Sequence, residues 1–231
     1  YNTFRKTLGD NIQVDIFFHH GNIELFETIL TNTKGRYSMY AVTPIPHKLT
    51  KQIMRKIPTN QLLVLDRFEP LGKGVSQITQ EFEISTYMAL KELLPAIRKY
   101  DDLTLFFLQK GNSPREVLRA FKQFLKDFNV KGSVKETYVP GSAKKGNAYF
   151  TIGDGDLWAI LKDCKKQNLK IGEDIGILSN NDGPAKEIIC DGITTISTDF
   201  EEMARAAAEF ILYRKKTQQI IPTLLIRRGS M

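Results

Sequence analysis

The sequence predicts an α/β fold built on parallel sheet, and three observations predict it. Short runs rich in β-branched or aromatic residues alternate with longer amphipathic runs almost throughout the chain, which is the pattern of βα units. The run 103–108 is apolar at every position but Thr104, as expected of a strand covered by helices on both faces. Breaks rich in Pro, Gly, Ser or Asn, at 44–46, 69–74, 111–114, 141–146 and 180–184, each follow a predicted strand closely.

Taken in order, residues 12–18 read as a strand and 22–30 as a helix with Ile23, Phe26, Ile29 and Leu30 on one face. Residues 37–42 form the next strand, 47–55 a helix and 61–65 a strand. A long helix is expected over 82–97, kinked in its last turn by Pro95. The strand 103–108 is followed by a helix over 117–128. There Ser113-Pro114-Arg115-Glu116 gives the order of an N-cap hydroxyl, a first-turn proline and an N3 glutamate. Further strands are predicted at 134–139, 148–152, 175–178 and 223–226, with helices at 157–166 and 200–213. Thr198-Asp199-Phe200-Glu201 repeats the N-cap and N3 pairing, and Arg214, Lys215 and Lys216 complement the dipole at the far end of that helix.

A length of 231 residues suits one large domain or two small intertwined lobes. The 42% hydrophobic and 26% charged fractions exclude collagenous, disordered and membrane-spanning classes. The net charge of +7 permits contact with polyanions but serves solubility equally well. Cys164 and Cys190 match no metal or redox spacing, which favours a reducing, cytoplasmic setting. The chain opens on Tyr1 and not on Met, so a leading segment is expected upstream.

In parallel α/β sheets ligands sit beyond the carboxyl ends of strands, so candidate contacts are sought there. Gly153-Asp154-Gly155-Asp156 follows one strand and precedes a helix. The later ligands of a calcium loop are missing, so no metal is expected; one Asp is expected to cap the helix and the other to meet a polar ligand. Ser179-Asn180-Asn181-Asp182-Gly183 offers amides and a carboxylate in a row, suited either to adjacent sugar hydroxyls or to a tight Asn-Asp-Gly turn. Asp66-Arg67 poses the same choice between a ligand-facing pair and a local ion pair. His19, His20 and His47 adjoin no nucleophile, and neither G-x-S-x-G, G-x-G-x-x-G after a strand nor a Walker loop is present. Neither an enzyme nor a cofactor is expected.

Residues 148–200, AYFTIGDGDLWAILKDCKKQNLKIGEDIGILSNNDGPAKEIICDGITTISTDF, resemble the effector-binding core of the lactose/galactose repressor family. LLVLDR at 62–67 and the closing PTLLIRRGSM resemble that family's I-D-R strand end and its terminal P-x-x-L-I-x-R-x-S. GEDIGILSNND with ITTISTDF is most similar to the subset fused to a gluconate-repressor-type winged helix.

The resemblance implies a type I periplasmic-binding-protein-like fold, with two doubly wound parallel-sheet lobes joined by crossing hinge strands. It divides the chain into residues 1–78 with 194–218, lacking the family's first strand, and 79–193 with 219–231. It also implies a homodimeric sensor that takes a sugar or its phosphate in the inter-lobe cleft and acts on operator DNA through an N-terminal head. The alternative is an extracytoplasmic sugar-binding protein of the same fold. Position by position, the resemblance makes Asp66, Asp154 and Asn181 ligand contacts, and Arg67, beside Asp66, is a further candidate contact. Gly153 stands where the family has Asn. The family arginine falls at Val117, with Arg115 nearby as the candidate substitute, and Tyr138 is the candidate stacking aromatic.

Overall fold

In the computed structural model, which describes residues 1–109 and 113–231, the elements follow in the order α1 (Asn2–Leu8), α2 (Ile23–Thr33), β1 (Tyr40–Val42), α3 (Thr50–Met54), β2 (Leu62–Asp66) and β3 (Ser76–Gln80). Next come α4 (Glu83–Glu92), α5 (Leu94–Ile97), β4 (Asp102–Phe106), α6 (Arg115–Phe128), β5 (Gly132–Lys135), β6 (Asn147–Thr151) and α7 (Asp154–Gln167). The chain closes with β7 (Gly176–Asn180), α8 (Pro184–Ile188), β8 (Thr194–Thr198), α9 (Phe200–Tyr213), β9 (Gln218–Ile221) and β10 (Thr223–Ile226). It separates into two units, Tyr1–Gln80 with Asp199–Pro222, and Glu81–Thr198 with Thr223–Met231. The backbone therefore passes between them three times, after Gln80, Thr198 and Pro222.

The first unit holds a four-stranded parallel sheet in the order β1-β2-β3-β9. Alternation along a strand sends successive side chains to opposite faces. Leu62 and Val64 of β2 accordingly pack with Phe26 and Leu30 of α2 and Ile53 and Met54 of α3. Leu63, between them, joins Ile78 and Ile221 against Met203, Ala207 and Phe210 of α9, with Phe4 of α1 alongside.

The second unit holds a six-stranded sheet in the order β10-β8-β7-β6-β4-β5, parallel except for the antiparallel edge strand β10. Leu103 and Leu105 of β4 face Phe121 and Phe124 of α6 and Leu90 of α4. Phe106, on the other face, packs with Leu157, Ile160 and Cys164 of α7. In α6 the buried Val117, Ala120, Phe121 and Phe124 recur at helical spacing. Each fully buried phenylalanine there contributes about 1.5–3 kcal/mol.

The α/β expectation holds, and several details differ. Residues 12–18 form no strand. Ile16, Phe17 and Phe18 are largely exposed, and apolar alternation makes a strand only where a neighbouring strand accepts its backbone groups. The helix expected over 82–97 breaks at Leu93 into α4 and α5, because Pro95 has no N–H to continue the ladder. Neither expected capping pair forms. Pro114 is the N-cap of α6, without a side-chain bond. The cap of α9 is Asp199, whose Oδ1 accepts from Glu202 N at 2.8 Å, one residue beyond the predicted Thr198. Part of the predicted break at 111–114 lies outside the described residues. No helix among the described residues is long and apolar enough to cross a membrane.

Candidate functional site

The carboxyl edge of the first sheet is marked by Asp66, the last residue of β2. Its φ of 75° turns the chain sharply off the strand, a left-handed backbone that non-glycine residues adopt at some cost. The Asp66 carboxylate accepts a hydrogen bond from Nε2 of Gln80, the last residue of β3. Arg67 Nε lies 3.9 Å from its other oxygen. Burial pushes this carboxyl above the ordinary aspartate range, opposed by the Gln80 bond and the Arg67 charge. Both sequence-predicted residues therefore lie together at the carboxyl end of β2, where they form the local ion contact.

In the second sheet β5 lies on one side of β4 and β6 on the other. The connections leaving the carboxyl ends of β4 and β6 thus diverge, and such a switch point opens a crevice for ligands. Arg115 is the first residue of α6, on the path from β4, and is exposed. Asp154 is the first residue of α7, on the path from β6.

Neither aspartate of the Gly-Asp-Gly-Asp stretch caps α7, whose N-cap is Gly153 without a side-chain bond. Asp156 Oδ1 instead accepts from Thr137 Oγ1 and Tyr138 N, both at 2.8 Å. Asp154 Oδ1 lies 2.7 Å from Lys186 Nζ. The two carboxylates thus engage different partners. Among the described residues no group of three His, Cys, Asp or Glu could hold a metal ion.

Asn181 follows β7 with φ 58°, its N–H donating to Ile196 O at 2.9 Å. Next to it, Asp182 is held bidentately by Arg228, Oδ1 and Oδ2 each accepting at 2.7 Å. The Arg228 guanidinium keeps the Asp182 carboxyl below its usual range. Gly192, at φ 89°, leaves room for the Arg228 stem, since a Cβ there would collide with its Cβ and Cδ.

The stacking role expected of Tyr138 does not fit its position. The ring is buried in the core of the second unit, edge-on to Phe106 and Tyr149, and its hydroxyl donates to Asp163 Oδ2 at 2.6 Å. A phenol can sink into the core when its one polar atom finds a partner there. Sequence reasoning also missed Gln80, Lys186 and Arg228. Only the last carried a signal, within the terminal stretch that resembles the repressor family.

Residues 98–231 match the periplasmic binding protein-like domain family. The chain belongs to that family. Among solved structures, this periplasmic binding protein-like chain is similar to a LacI-family transcriptional regulator from Lactobacillus casei with bound sucrose. That match has a TM-score of 0.79 and 16% identity, covering 100% of this chain and 94% of that one. It is also similar to an uncharacterized protein from Actinobacillus succinogenes, at TM-score 0.81 and 15% identity, covering 99% and 92% of the two chains. The lactose repressor bound to an anti-inducer matches at TM-score 0.73 and 16% identity, covering 90% and 84%. At these identities the likeness shows the fold, which is the type I periplasmic-binding-protein-like architecture implied by the resemblance. No curated protein sequence matches the chain.

Proposed function

We propose that this chain is the effector-sensing part of a bacterial transcription regulator, taking a small sugar or sugar derivative at the carboxyl edges of its sheets without transforming it. The observation that carries the reading is the polar arrangement at the carboxyl edge of the second unit's sheet, where Asp154, beside the switch point, and Asn181, after the neighbouring β7, are offered by loops held in place from within the same unit. Asp66 and Arg67 are the contacts assigned to the first unit, and Arg115 is a further contact at the head of α6.

Side chains that accept and donate in fixed directions suit adjacent hydroxyls, and the solved relative from Lactobacillus casei holds sucrose in one structure and glucose in another. Binding shifts the balance between conformations by its differential affinity. In a homodimer that shift reaches operator DNA through a winged-helix segment of gluconate-repressor type, the subset to which GEDIGILSNND and ITTISTDF are most similar. Exposed Trp158 and Ile188, on α7 and α8, are apolar surface suited to self-association. Both cysteines are free, which fits a cytoplasmic protein.

Thermal unfolding with a panel of neutral mono- and disaccharides tests the reading. At least one sugar should raise the midpoint, and Asp66→Ala and Asn181→Ala should each abolish the rise while folding normally. A panel without effect on the unaltered chain, or shifts that persist in both variants, overturns it.

A further inference from the structure

We propose that Lys186 is a positioning residue for the ligand-contacting edge of the second unit, one buried ammonium that ties the loop after β6 to the loop after β7. The inference rests on the sensor reading for its consequence, and on geometry alone for the tie itself. Lysine is seldom buried unless every charge and donor is answered, and the Lys186 side chain is only 5% exposed. Its ammonium has three N–H donors and three acceptors in reach. Asp154 Oδ1 lies at 2.7 Å, the carbonyl of Asn180 at 2.8 Å and that of Asn181 at 2.7 Å.

Those acceptors come from two separate connections, the head of α7 and the turn that leaves β7. Two successive carbonyls converge on one cation while Asn181 sits at φ 58°. The same turn is fixed from its other side. Asn181 N–H donates to Ile196 O at 2.9 Å, Asp182 N–H donates to Ser197 Oγ at 2.9 Å, and Arg228 grips the Asp182 carboxylate. A turn determined this fully fixes the backbone from which the Asn181 amide projects, which is a first requirement for preorganising a binding constellation.

An apolar side chain of similar length would fill the space of Lys186 without the cost of burying a charge. It would leave two carbonyls unpaired and the Asp154 carboxylate unrestrained. Asp154 is itself 58% exposed. Lys186 therefore orients one Asp154 oxygen inward and leaves the rest of that carboxylate open to a donor from outside. The inferred result is that Asp154 and Asn181, far apart in sequence, act on a ligand as one rigid pair.

The test uses the full 231-residue chain with Lys186→Met, Asp154→Asn and, as a destabilised control, Leu103→Val at the amino end of β4. Without any sugar, amide hydrogen exchange at Asn181 and Asp182 should accelerate about tenfold or more in Lys186→Met while Phe150 inside β6 stays protected. Unchanged exchange at both amides overturns the proposal. Calorimetric titration with sucrose, glucose and the same neutral panel supplies the second arm. A sugar that binds the unaltered chain should lose about tenfold or more in affinity in Lys186→Met, and stay within about twofold in Leu103→Val. Undiminished affinity in Lys186→Met overturns the positioning role. If no sugar binds the unaltered chain, the sensor reading falls while the exchange arm still decides Lys186. Should Lys186→Met fail to fold, Asp154→Asn keeps the side-chain shape and removes the charge. Faster Asn181 exchange in that variant supports the tie, and exchange identical to the unaltered chain overturns it.

Discussion

The two carboxyl edges hold their acidic residues in contrasting ways. In the first unit Asp66 is met by a neutral amide from Gln80 and a distant contact with Arg67, and its surroundings disfavour the charged form. In the second, Asp182 receives both arms of Arg228, and Asp154 receives a buried ammonium. Charge-assisted bonds in parallel pairs are roughly twice as strong as neutral ones and fix direction as well as distance. The second edge is therefore built as a rigid template. The first is a partly desolvated carboxylate, held by a neutral amide and a longer contact with Arg67.

Removing Arg228 should break this contrast with the largest effect. Arg228→Ala strands the Asp182 carboxylate at a position where both partners are under a quarter exposed, and also removes a bond to Ile193 O. The expected loss is about 2–4 kcal/mol by denaturant titration. Gln80→Ala, the matching change at the first edge, should cost about 1 kcal/mol. Equal losses would show that the edges are not built differently.

Tyr138→Phe comes next. It deletes the donor to Asp163 and leaves the ring packing intact, for an expected loss of about 1–2 kcal/mol. Any sugar-induced rise in the unfolding midpoint should survive it, whereas loss of that response with little change in stability would return Tyr138 to the ligand site.

The alternation of β and α runs was legible because burial on two faces imposes it on composition, and α9 spans the range its apolar spacing predicts. β3 was not legible. SQITQ carries one apolar residue, yet Ser76, Gln77 and Thr79 are buried, their strand held by parallel ladders on both sides. Residues 12–18 show the reverse case, since an apolar run carries no information about whether a partner strand is present. Asp66, Asp154 and Asn181 could be placed at the carboxyl ends of strands because each closely follows a predicted strand in the sequence. The groups that hold them could not. Lys186 in PAKEII reads as an ordinary solvated helix lysine, and Arg228 reaches Asp182 across 46 residues of sequence. Position along a strand is local, whereas the partner of a buried charge is decided by the packing of the whole unit.

The smallest expected effect is one of sign. Burial raises the Asp66 carboxyl above the ordinary value of 3.8. The folded state therefore binds the Asp66 proton more readily than the unfolded chain, and stability from this residue is greatest below the ordinary value and declines as pH rises through the raised one. Asp182 is shifted the other way by Arg228. Its contribution is present above the ordinary value and is lost as pH falls through the lowered one. Unfolding midpoints of Asp66→Asn and Asp182→Asn between about pH 3 and 7 should therefore diverge from the unaltered chain in opposite directions near neutrality, Asp66→Asn above it and Asp182→Asn below, with both differences shrinking on acidification. Displacement of both variants to the same side would mean that burial does not govern Asp66, and the distinction between a partly desolvated first edge and an ion-paired second edge would lose its electrostatic basis.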